Sequence, residues 1–95
     1  MPRDAIAMQL TAAERTLLLR YGYPFARIER ALKACSASKA IEIVSIDRDE
    51  LGRLIGELSR SINDMKPSTL QNQLFTLCDR LEAVERYGDG MLDLL

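Results

Sequence analysis

Residues 41–65, IEIVSIDRDELGRLIGELSRSINDM, change rhythm partway along. The first six, IEIVSI, are rich in β-branched apolar residues and read as a strand over 41–46. Asp47 follows, with Glu50 three residues on, a capping box that opens a helix. From there Leu51, Leu54, Ile55, Leu58, Ile62 and Met65 fall within one arc of about 100° at the helical period, a core-facing stripe. A helix over 48–65 is expected. Pro67 stops it, because the residue before a proline disfavours helical backbone.

The same signature occurs 36 positions earlier. Residues 5–10, AIAMQL, place Ile6, Met8 and Leu10 on one face at period two, and Thr11 with Glu14 repeats the capping box of Asp47 with Glu50. A helix over 12–21 should follow, with Gly22 at the position after a helix end that favours left-handed backbone. Pro24 suits a first helical turn, so a second helix is expected over 24–35, followed by the loop SASKA at 36–40. Ser68 and Gln71 form a third box ahead of a helix over 69–87, which Gly88 closes, leaving an apolar tail at 88–95. A lone strand leaves its backbone groups unpaired, so IEIVSI must pair with AIAMQL or with a second copy of itself. The expected architecture is a single, mostly α domain over 1–95. Its order is β-α-α-β-α-α, with the third and fourth helices as a long hairpin. Without the strands it reduces to a plain four-helix bundle.

Composition narrows the function classes. Apolar residues make up 47% and charged residues 28% of the 95, an ordinary globular balance, and no residue is His. The commonest neutral-pH general base is therefore missing, and no nucleophile elbow, P-loop or GxGxxG is present. Two cysteines, Cys35 and Cys78, are too few for a structural zinc site and read as buried free thiols. Asp47, Asp49 and Glu50 cluster at a helix start, where carboxylates favour the N-terminal end of the dipole. No enzyme activity, catalytic residue, metal or cofactor is expected. MPRDAIAMQL lacks a long apolar run, and no run approaches the roughly 18 residues of a membrane span. The expectation is a cytoplasmic protein with no membrane partner.

More apolar surface is written into the chain than one hairpin seam can cover. On the third helix Arg53–Glu57 and Arg60–Asp64 make a charged outer ladder at i,i+4, as does Glu82–Arg86 on the fourth. Beside the core stripe of the third helix runs a smooth strip of Gly52, Gly56, Ser59 and Asn63. A mid-helix glycine costs about 1 kcal/mol relative to Ala, so close approach by another helix is expected there. On the fourth helix Phe75 stands about 100° off the stripe of Leu70, Leu74, Leu77, Leu81 and Val84. Leu17, Leu18 and Leu19 point in three directions, and Tyr21, Tyr23 and Phe25 crowd one corner. The tail carries Met91, Leu92, Leu94 and Leu95. The candidate interface is therefore Leu19, Gly52, Gly56, Ser59, Asn63, Phe75, Met91 and Leu92.

The net charge of −1 hides a division: residues 1–39 are net +4 and residues 40–95 net −5. Arg27, Arg30 and Lys33 lie opposite the apolar stripe Phe25, Ile28, Leu32 and Cys35, a candidate basic patch for phosphate. The order strand–helix–helix over 41–87 matches ribbon-helix-helix repressors, but those read the major groove with a polar or basic strand face. Here the strand offers Glu42 and Ser45 among isoleucines, so nucleic acid is not the expected partner.

LTAAERTLLL at 10–19, DELGRLIGELSRSIN at 49–63 and LQNQLFTLCDRLE at 70–82 resemble small uncharacterised bacterial helical domains, whose pattern runs LTxxER, DELxxLIGxL, LQxxLxxL. The resemblance implies a small helical domain and supplies no catalytic residues. The function expected from the residues is a non-catalytic interaction domain that associates with itself, as a homodimer. A regulatory accessory of a nucleic-acid-acting system, holding phosphate on the second helix, is the alternative. A small enzyme comes last.

Overall fold

A computed structural model describes residues 5–87. The order is β1 (Ala5–Leu10), α1 (Ala12–Tyr21), α2 (Ala26–Ala34), β2 (Glu42–Asp47), α3 (Arg48–Asp64) and α4 (Thr69–Tyr87). The mostly helical β-α-α-β-α-α architecture expected from the residues is the one observed, and α3 and α4 pack together as a hairpin.

The two strands pair with each other, antiparallel, from Ala5 opposite Asp47 to Leu10 opposite Glu42. In this register Met8 faces Val44, its own counterpart 36 positions on. Antiparallel pairing centred on equivalent residues gives the two strands a local twofold axis. The inner face of the ribbon buries Met8, Leu10, Val44 and Ile46 completely or nearly so. They join Leu18, Ile28, Leu32, the stripe of α3 and the stripe of α4 in one aliphatic core.

Both capping boxes form. Thr11 N donates to Glu14 Oε1 at 2.9 Å and Glu14 N to Thr11 Oγ1 at 3.1 Å, while Asp47 N donates to Glu50 Oε1 at 3.2 Å. Each capping glutamate also receives an arginine from a distant helix. Arg80 of α4 donates to both carboxylate oxygens of Glu14, at 2.8 and 2.9 Å, and to the carbonyl of Gln9. Arg27 of α2 bonds Glu50 and lies 3.8 Å from Asp47. The glutamate that starts a helix thus also fixes which helix lies beside it.

Arg15 lies 2% exposed on the inner side of α1. Its guanidinium donates to the carbonyls of Leu10 (2.7 Å), Ala40 (3.0 Å), Cys35 (3.4 Å) and Ser38 (2.7 Å). It joins the end of β1, the C-terminus of α2 and the whole turn leading into β2. The carbonyls at the end of α2 carry the negative end of its dipole, so the cation is held without a carboxylate.

Several local expectations are corrected. Gly22 is not left-handed: it has φ −88°, ψ −15°, and the left-handed residue is Tyr23, at φ 45°. Gly22 is required by space instead, since a Cβ there would lie 2.8 Å from the Leu18 carbonyl oxygen and 2.9 Å from Leu54 Cδ2. Because Tyr23 turns the chain, α2 begins at Ala26 rather than Pro24 and ends at Ala34, and Phe25 is 48% exposed rather than part of its core stripe. The Ser68–Gln71 box is half formed: Gln71 N donates to Ser68 Oγ at 3.1 Å. The Gln71 side-chain amide instead reaches the end of α3, donating to the carbonyls of Ile62 (3.1 Å), which also accepts from Met65 N, and of Met65 (3.4 Å). Met65 has extended backbone and lies just past α3. In the outer ladder Arg60 meets Glu57 at 3.9 Å rather than Asp64, and Arg53 lies over the Phe25 ring, 4.7 Å from its centroid.

Replacing Arg15 with Leu should cost about 3–5 kcal/mol, because four carbonyls lose a charged donor in a buried site. Arg15→Lys should lose less but still a large part, since an ammonium cannot span four acceptors in a fork. Urea unfolding followed by circular dichroism measures both. Gly22→Ala should destabilise by about 1–3 kcal/mol through overpacking, although alanine is the better helix former.

Candidate functional site: the outer groove of the helical hairpin

The core stripes of α3 and α4 meet along the seam of the hairpin, and the residues just outside both stripes form a groove. On the α3 side it shows Ser59 and Asn63; on the α4 side Phe75, Cys78, Asp79 and Glu82. The recess measures about 260 Å³. Phe75 is 48% exposed at its rim. The structure thus brings together three residues that the sequence singled out separately, Ser59, Asn63 and Phe75.

The glycines of the strip differ. A Cβ on Gly52 would lie 3.3 Å from Glu85 Oε2, the tip of a side chain from α4 that covers it. A Cβ on Gly56 would meet nothing within 4 Å. Gly56 is exposed, one turn along the strip from Ser59, and its helix penalty has no compensating contact among the described residues. Leu19 packs half-buried against the core and does not line the groove. Met91 and Leu92, with the tail at 88–95, lie outside the described residues.

Cys78 is buried at the groove floor, while Cys35 is only partly buried; both are free thiols. Cys78 Sγ lies 3.7 Å from Ser59 Oγ and 3.6 Å from Glu82 Oε1. Burial pushes its thiol pKa up, Glu82 and Asp79 add to this, and the Ser59 hydroxyl opposes it. The neutral thiol is favoured, which suits packing rather than nucleophilic chemistry. Among the described residues no three His, Cys, Asp or Glu side chains converge as a metal site would require.

The candidate basic patch is largely engaged. Arg27 is held by Glu50 and Asp47, Lys33 lies 3.8 Å from Glu29, and Arg30 Nε donates to the carbonyl of Ala26 at 3.4 Å. The outer face of the ribbon presents Ala7, Ile43 and Ser45, with Ile43 61% and neighbouring Ile41 52% exposed. It carries no basic side chain to meet a phosphate or a base edge. A second recess, about 320 Å³, opens between α1 and α4 around Leu17, Thr76 and Leu77, with no titratable cluster in it. Among the described residues no helix is long and apolar enough to cross a membrane.

Two functional connections were invisible to stripe counting. Arg15 shares a helical face with Leu18, three residues on, and that placement of a charge on a core face was the available signal. Arg80 faces α1 from α4, but only the tertiary arrangement identifies Glu14 as its partner. Compared with protein-family models, curated proteins and solved structures, the chain matches none.

Burial of one carboxylate oxygen, and then the neighbouring Glu50 carboxylate, raise the Asp47 pKa, against the lowering by Arg27. An acid whose folded pKa is raised favours the fold below its unfolded pKa, and that contribution is lost as pH rises through the folded value. Asp47→Asn keeps a cap but removes the titration. Its stability relative to the parent should therefore improve between acidic and neutral pH, read as urea midpoints across that range.

Proposed function

We propose that this chain is a non-catalytic interaction domain that pairs with a second copy of itself through the outer groove of the α3–α4 hairpin. The observation that carries the proposal is Gly56: an exposed mid-helix glycine with open space above it, one helical turn before Ser59 of the groove that an exposed phenylalanine lines. A helix of a second copy lying along that strip supplies the close backbone approach that glycine permits, and it covers Phe75. In an isologous dimer the same patch serves both partners, so α3 of one copy crosses α4 of the other. The charges suit that crossing. Arg60 of α3, 74% exposed at its side chain, follows the groove-lining Ser59, and the α4 rim carries Asp79 and Glu82. A cytoplasmic setting belongs to the same reading, with two free thiols and a fold that uses no disulfide.

Light scattering across micromolar concentrations tests the proposal. The expected mass at the upper end is twice that of one chain; one chain's mass at every concentration contradicts it. Gly56→Leu separates association from folding. Leucine is the better helix former by nearly 1 kcal/mol and has room here, so the variant should remain helical and melt no lower than the isolated parent chain, yet be monomeric. A Gly56→Leu protein that still dimerises would remove the groove from the account.

A further inference from the structure

A third recess lies away from the hairpin groove, where the α1–α2 corner meets the end of α3. It measures about 240 Å³ and is lined by Tyr21, Tyr23, Ser61, Asp64 and Met65. We propose that it is a binding site for an organic cation, an ammonium or guanidinium group, seated between the tyrosine rings and the Asp64 carboxylate.

Three independent features converge on this corner. The first is electrostatic. Asp64 is the last residue of α3, where the helix dipole presents its negative end, and the last turn of α3 contains no basic residue. Among the described residues no Lys or Arg lies within 4 Å of the Asp64 carboxylate, so a carboxylate and a helix C-terminus stand together without a counter-cation. The second is conformational. Tyr23 is a non-glycine residue at φ 45°, a backbone that L side chains rarely adopt, and it holds its ring 62% exposed at the rim of the recess. The turn that packing at Gly22 passes to Tyr23 thus also sets this aromatic at the edge of the recess. The third is chemical. Aromatic faces attract cations through the ring quadrupole, and this corner already does so internally: Arg20 stands 5.9 Å from the centroid of Tyr21. Tyr23, Asp64 and the Met65 thioether complete a wall suited to a soft or alkylated cation rather than to an anion.

The ammonium group can come from a small quaternary amine or from a basic side chain of a partner. Two probes distinguish the sources: tetramethylammonium chloride, and an end-capped Lys–Arg dipeptide, each titrated against sodium chloride at equal ionic strength. With no Trp and only three Tyr in the chain, two of them in the recess, tyrosine emission reports binding directly. Amide shifts at Tyr21, Tyr23, Ser61 and Met65 report its location. Saturable changes confined to these residues with either probe are expected, and the tighter probe identifies the source. Asp64→Asn should weaken binding about five- to tenfold through loss of the carboxylate, and Tyr23→Leu should weaken it severalfold. Arg20→Ala should tighten it, because the competing internal cation is removed. Asp64, Tyr23 and Arg20 are all exposed, and an unchanged amide spectrum elsewhere shows that each variant is folded. No saturable shift with either probe overturns the proposal, as does an affinity indifferent to Asp64→Asn.

Discussion

A single buried guanidinium organises the first half of this molecule. Arg15 leaves α1 and gathers the carbonyls of Leu10, Cys35, Ser38 and Ala40. An unpaired buried cation is very costly, and an unpaired buried carbonyl costs about 1–3 kcal/mol, so these groups stabilise one another or not at all. The 35–40 turn has little apolar weight of its own to hold it down. Tied to Arg15, it delivers the chain to Glu42 at the point where β2 must begin to pair with β1. The ribbon, and with it the placement of α3 across the core, follows from that delivery.

The second half is positioned by a duplicated device. In both strand–cap–helix units the glutamate of the capping box accepts from the backbone at the helix start and from an arginine two elements or more away. The side chains of Arg80 and Glu14 are 23% and 20% exposed, so water screens their pairing less than it would a pair on the open surface. Because Met8 and Val44 are both equivalents and partners, the two strands face each other across a local twofold. The chain thereby builds within itself a ribbon that two short chains would otherwise have to meet to form. The proposed pairing of two copies uses a different surface, the hairpin groove.

The order of elements was legible because strand, cap and helix signals agreed at each point. AIAMQL runs straight into Thr11 and Glu14, and IEIVSI into Asp47 and Glu50, so period, cap and boundary all coincide. The α1–α2 corner was not legible, because Gly22 offers two explanations and the neighbouring structure chooses between them. Its small size is needed against Leu18 and Leu54, which passes the left-handed turn to Tyr23 and shortens α2. Gln71 deviates for a similar reason: the carbonyls at the end of α3 lie within reach only once the hairpin has closed. Of the candidate interface, helical angles sufficed to identify Ser59, Asn63 and Phe75. They could not show that α3 and α4 bring those residues to a common groove, nor that Gly52 is covered and Gly56 is not.

What distinguishes this surface from an ordinary solvated one is the coincidence of an uncompensated glycine, an exposed aromatic and charges of opposite sign on the two helices of one hairpin. Each taken singly is common on monomeric proteins. Together they describe a face shaped for another helix. The most direct test is an isotope-filtered NOE measurement on an equal mixture of labelled and unlabelled chains. The account predicts contacts between the Phe75 ring of one chain and the Gly56 α-protons or Ser59 of another. A mixture that shows contacts within chains only, at concentrations where the mass is that of two chains, would contradict it.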